Sequence, residues 1–220
     1  VRSPTRKSPV PEADCSPATL PPDGHAPATA PVLHVTMGAE GPSDDPRMAR
    51  VDIYRLPEID PSAVRGLILG GGVDQIFLAR NKDLLTDFVT SGGRIAVMGH
   101  ALTDFLPGLG VWRKLDYTGP KDLAITLGEP HPVWAGVEPV DLSTRKGVTG
   151  FYGRGYIDKI PDDALVTTRI GRHALPFDYV YPLGKGQVLA HGGNDLLGWK
   201  NDPNSSARLA VQLVDWLVQR

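Results

Sequence analysis

The sequence predicts a three-layer α/β fold, with a mostly parallel central sheet flanked by helices. Three observations predict it. Ile95-Ala96-Val97-Met98 is a short, wholly apolar run that breaks at Gly99-His100. A run without alternation marks a strand buried on both faces, the habit of parallel sheets. Asn81 to Ser91 is amphipathic, with Leu84, Leu85, Phe88 and Val89 on one helical stripe. Leu67-Ile68-Leu69 reads as an earlier strand that runs straight into Gly70-Gly71-Gly72. Strand, helix and strand with short connections make a β–α–β unit, for which parallel pairing and a right-handed crossover are expected.

The remaining elements follow in chain order. Residues 1–30 are rich in Pro, Ala, Ser and Thr and lack apolar periodicity, so they read as a disordered leader. A single ordered domain is expected over 31–220. Val32 to Met37 is the first strand and ends at Gly38. Val51 to Leu56 alternates and reads as a second strand at a sheet edge, a feature compatible with a homodimer. Gly92-Gly93 supply the left-handed cap that ends the 81–91 helix. Asp104 to Trp112 is a short helix or loop, Leu123 to Leu127 a strand, and Gly128 to Val137 a proline-broken loop. Residues 138–163 hold only short extended pieces. Ala164 to Thr168 and Phe177 to Tyr181 are strands. Leu183 to Gln187 fits a hairpin turn, with Val188 to His191 as its returning strand. Asp202-Pro203 opens the last helix as cap and first-turn proline, and Leu209, Leu213, Trp216 and Leu217 form its buried stripe.

Composition removes several functions. The formal net charge is -2 and no Lys/Arg run exists, so neither nucleic acid nor an anionic membrane is expected as a partner. The single cysteine, Cys15, lies in the leader and supports neither a disulfide framework nor a zinc site. No metal spacing of the H-x-H or HExxH kind occurs, and no metal or cofactor is expected. The basic N-terminus has no apolar core behind it, so a cytoplasmic location is expected.

Four stretches, in this order, resemble one family. They are Leu67 to Gly72; Leu84 to Met98; His131-Pro132-Val133-Trp134-Ala135-Gly136-Val137; and Tyr181 to Trp216 with its GKGQV, GGND and DWL segments. Together they resemble the ThuA-like (trehalose-utilisation-type) branch of the class I glutamine amidotransferase-like superfamily. The resemblance implies a flavodoxin-like sheet with a site at the strand ends. In amidotransferases the turn carries Cys-x-Gly-His, where this chain has Val97-Met98-Gly99-His100. Their His-Pro-Glu stands here as His191-Gly192-Gly193. Thiol chemistry needs a thiolate, a base and a group orienting the base. Only the base remains, so glutamine hydrolysis is excluded. In the ThuA-like register His100 and Asp104 resemble the turn, with the Gly-His spacing one residue short, and Gly193-Asn194-Asp195 resembles a late Gly-His-Asp with Asn in place of His.

These readings name the candidate site. His100, His191 and Asp195 are the catalytic candidates for acid/base chemistry. Gly70, Gly71 and Gly72 would offer backbone N–H groups to an oxyanion or phosphate. Met98, Gly99, Asp104, Asn194 and Trp199 are further ligand-contact candidates. Each also has a structural reading. The glycines make a tight turn, Asp195 caps the next segment, and Trp199 and Tyr152 pack over the sheet. His131 belongs to a rigid turn, and His34 is a buried, satisfied histidine. The expected function is binding or converting a small polar metabolite such as a sugar. The alternative is a catalytically inactive interaction module.

Overall fold

A computed structural model describes residues 30–219. Apart from Ala30, the leader expected over 1–30, Cys15 included, lies outside the described residues. The strands are β1 (Val32–Thr36), β2 (Gly41–Pro42), β3 (Met48–Asp52), β4 (Gly66–Leu69), β5 (Arg94–Met98), β6 (Val111–Lys114), β7 (Ile125–Leu127), β8 (Thr144–Arg145), β9 (Val148–Thr149), β10 (Gly155–Asp158), β11 (Leu165–Ile170), β12 (Leu175–Leu183) and β13 (Gly186–His191). The α-helices are α1 (Gln75–Arg80), α2 (Lys82–Thr90), α3 (Pro139–Ser143) and α4 (Arg208–Val218).

Nine strands form one sheet in the order β2-β3-β1-β4-β5-β13-β12-β11-β7. The run from β3 to β13 is parallel throughout, and β12, β11 and β7 extend it antiparallel. Six of the nine strands therefore point the same way, and the expectation of a mostly parallel sheet holds.

The apolar runs are buried on both faces, as their lack of alternation requires. Leu67, Leu69, Ile95 and Val97 join α1 and α2 residues in one core, and Ile68, Ala96 and Met98 join α4 residues in the other. The α4 stripe of Leu209, Leu213, Trp216 and Leu217 is buried as its spacing demands. Gly92 has the positive φ that a left-handed cap needs.

Several boundaries differ from the sequence reading. The second strand is Met48–Asp52, not 51–56. The Asp52 carboxylate accepts the Tyr54 N–H and turns Ile53–Glu58 into a 3-10 helix. The short β2 pairs with its outer side, so β3 is not the edge. Residues 75–80, unassigned from sequence, form α1, capped by Asp74 accepting from the Ile76 and Phe77 N–H groups. Residues 111–114 pair with β10 in a separate two-stranded sheet. The last helix begins at Arg208 rather than at Pro203. Asp202 is drawn away by Arg145, whose Nη2 donates to its Oδ1 at 2.7 Å, while Asn204 caps a 3-10 turn at 205–207. Among the described residues no helix is long and apolar enough to cross a membrane.

Candidate functional site

Because β1, β4, β5 and β13 are successive parallel neighbours, their carboxyl ends share one edge of the sheet. Two glycine turns meet there. Gly99 has φ +81°, and a Cβ on it would lie 2.7 Å from Gly71 Cα. Gly70 approaches His34, since a Cβ there would lie 3.3 Å from His34 Nε2. A Cβ on Gly72 would meet nothing within 4 Å. None of Gly70, Gly71 and Gly72 has a positive φ. At Gly70 and Gly71 the physical need is therefore close approach rather than a left-handed backbone.

Among the described residues no hydrogen bond joins the side chains of the three catalytic candidates, although the His191 charge acts on both His100 and Asp195. His191 is fully buried, with Nδ1 2.6 Å from Asp178 Oδ1 and Nε2 2.7 Å from the Asn194 carbonyl. Both ring nitrogens of His191 are therefore engaged within the protein. Asp178 Oδ2 also accepts from Tyr152 Oη at 2.7 Å and Thr168 Oγ1 at 2.5 Å, and Trp134 Nε1 donates to Tyr152 Oη at 2.9 Å. Burial, and then the Asp178 charge, push the Tyr152 phenol well above its usual range. This buried network leaves no nitrogen of His191 for a substrate.

His100 stands exposed at the turn, stacked on Trp112 with ring centroids 3.8 Å apart and 21° between planes. Desolvation, and then the His191 charge, lower its pKa. Trp112 Nε1 is tied to the Gly192 carbonyl at 3.0 Å. The Gln75 side chain clamps the turn, donating to the His100 carbonyl at 2.6 Å and accepting from the Leu102 N–H at 2.8 Å. Asp104 faces solvent and pairs with Lys82 at 3.8 Å. Met98 and Trp199 are buried in the core beneath α4, away from solvent. Asn194 is exposed, and its Nδ2 donates to the Phe151 carbonyl at 2.5 Å.

A different pair meets instead. His34 Nε2 lies 3.4 Å from Asp195 Oδ2, with 17% and 29% of the two side chains exposed. Asp195 Oδ1 accepts the Leu197 N–H at 2.8 Å, so it caps the turn and holds His34 at once. Burial raises the Asp195 pKa, but the hydrogen bond and charge of His34, together with the Leu197 N–H, outweigh it and hold the carboxyl below its usual value. The pair lines an open groove of about 790 Å³ between α4 and the face of β1 and β3. Its polar end carries His34, Asp195, Arg50, Lys200 and Ser43; Met48, Val211 and Val214 give an apolar wall. An imidazole oriented by a carboxylate beside an open cavity can transfer a proton to or from a bound hydroxyl. Among the described residues no group of three His, Cys, Asp or Glu is placed to hold a metal ion.

The sequence reading took His34 as a satisfied core histidine. The available signal was a polar residue near the carboxyl end of Val32-Leu33-His34-Val35, on the opposite face from Leu33 and Val35. Asp178 was missed as well. A carboxylate inside Phe177-Asp178-Tyr179-Val180-Tyr181 must be paired if the strand is buried, and that was its signal.

No family model matches the chain, and no curated protein matches its sequence. The fold is similar to Cytoplasmic Protein STM3548 from Salmonella typhimurium, at 12% identity and a TM-score of 0.55, covering 86% of this chain and 99% of that one. It is also similar to Cytoplasmic Protein STM1381 from Salmonella typhimurium LT2, at 11% identity and a TM-score of 0.53, covering 84% and 98%. At these identities the likeness concerns the fold alone.

Proposed function

We propose that this chain is a ThuA-like member of the class I glutamine amidotransferase-like superfamily, without amidotransferase activity, that binds or converts a small polar metabolite such as a sugar. The observation that carries this reading is the His34–Asp195 pair at 3.4 Å on the wall of the groove. In this reading the ligand lies between α4 and β3. Asp195 orients the imidazole, and His34 exchanges a proton with a ligand hydroxyl. His100 serves the turn rather than the chemistry, and His191 holds the loop that delivers Asp195. The family assignment is supported by the order of its four sequence stretches, and the loss of glutamine hydrolysis by Val97 at the nucleophile position. A cytoplasmic location accords with the descriptions of the two structural neighbours.

The inactive-module reading is favoured by one observation, the sealing of His191 by Asp178 and the Asn194 carbonyl. A thermal-shift screen of the full chain against sugars, sugar acids and sugar phosphates separates the two. A ligand at 100 times its Kd adds about 2.7 kcal/mol of stability. The site reading expects a shift that is lost in His34→Ala. No shift from any compound, or one that His34→Ala leaves unchanged, would overturn it in favour of the module.

A further inference from the structure

The charges around the groove are unequally answered. β1 and β3 pair in parallel with His34 opposite Arg50. Partners in register project to the same face of a sheet, here the face covered by α4. Arg47 is taken twice over, by Asp45 at 2.7 Å and Asp215 at 2.5 Å. Lys200 is taken by Asp44, and Asp195 is shared between His34 and the Leu197 N–H. Arg50 alone among the groove's cations has no carboxylate in ion-pair range among the described residues. Its Nη2 donates to the Pro42 carbonyl at 3.3 Å. Among the described residues its other N–H groups have no protein acceptor.

We propose that Arg50 is the anion-binding residue of this groove, so that its ligand is a hydroxyl-bearing small molecule carrying a carboxylate or phosphate, rather than a neutral sugar. This rests on reading the His34–Asp195 groove as the ligand site. A guanidinium fork matches the planar spacing of carboxylate or phosphate oxygens, and such charge-assisted bonds are stronger than neutral ones. Arg50 and His34 both line the groove, so a ligand whose oxyanion is held on Arg50 can extend along it to His34. Asp44 and Asp45 are paired with Lys200 and Arg47, and Arg50 acts on Asp44 only through its charge, without an ion-pair contact.

Calorimetric titration of the full chain with D-gluconate, glucose 6-phosphate and glucose tests the proposal, in wild type, Arg50→Gln and Arg50→Lys. Arg50 is exposed, so an unchanged melting temperature is expected for both variants. At least one anionic probe should bind about tenfold or more tightly than glucose. Arg50→Gln should bring the probes within about twofold of each other, and Arg50→Lys should keep part of the preference. The tighter of the two anions tells carboxylate from phosphate. Equal binding of all three by wild type, or a preference that survives Arg50→Gln, overturns the role of Arg50 and leaves the groove standing. No binding of any probe overturns both.

Discussion

Asp178 is the buried acceptor that joins His191, Tyr152 and Thr168, and its replacement tests the reading of His191 directly. The side chain is fully buried and accepts three hydrogen bonds, from His191, Tyr152 and Thr168. Asp178→Ala leaves three buried donors without an acceptor, at roughly 1–3 kcal/mol each before relaxation. Loss of one partner from a buried pair costs about 3–5 kcal/mol, which is the magnitude expected here.

Asp178→Asn behaves differently. Its carbonyl keeps the Tyr152 and Thr168 hydroxyls. Its amide faces His191 Nδ1, which accepts in the tautomer whose Nε2–H donates to the Asn194 carbonyl. The second amide hydrogen is left without an acceptor, so the expected loss is about 1–3 kcal/mol, below that of Asp178→Ala. Urea unfolding at pH 7 measures both variants. If Asp178→Asn were as destabilised as Asp178→Ala, hydrogen-bond satisfaction would not be what holds the network, and the reasoning would be refuted.

Three further outcomes are expected. Burial, and then the Arg94 charge, hold the half-buried His131 at about 4, below the ordinary 6.5, while its Nδ1 accepts the Val133 N–H at 3.3 Å. The unfolded chain therefore binds this proton first, and stability should fall as pH drops from about 6.5 to 4, by up to roughly 3 kcal/mol. Unfolding curves of His131→Asn against wild type across that window isolate this contribution, and a pH-independent difference would exclude it. Thr167 Oγ1 is buried without a hydrogen-bond partner, whereas its neighbour Thr168 donates to Asp178. Thermal denaturation should find Thr167→Val neutral or stabilising by up to about 1 kcal/mol and Thr168→Val destabilising by about 1.5–3 kcal/mol. Gly99→Ala meets both a left-handed φ and the Gly71 backbone, and it should cost about 1–3 kcal/mol or more. Gly72→Ala, with open space around it, should stay within about 0.5 kcal/mol of wild type on the same denaturation assay.

Much of the sheet was legible because its signals are local. The unbroken runs at 67–69 and 95–98 declared strands buried on both faces, and the stripe of Leu84, Leu85, Phe88 and Val89 declared α2 between them. What failed at the boundaries was also local chemistry, but of side chains capping backbone. Asp52 turned an alternating pattern into a 3-10 helix, and Asp74 started a helix too short to show periodicity. Asp202 looked like a helix cap until Arg145, distant in sequence and packed between the rings of Phe151 and Trp199, claimed its carboxylate.

By itself, then, the sequence determined the β–α–β heart, the hairpin into β13, the buried stripe of α4 and the gathering of glycines and polar residues at strand ends. Each of these is written in the spacing of neighbours along the chain. The tertiary structure alone decided which histidine meets which carboxylate. Asp178 stands opposite His191 and Arg50 opposite His34 because of strand register, and Asp195 reaches His34 because β13 and β1 end on the same edge of the sheet. Register is set by pairing between distant segments, and no local window of sequence contains it.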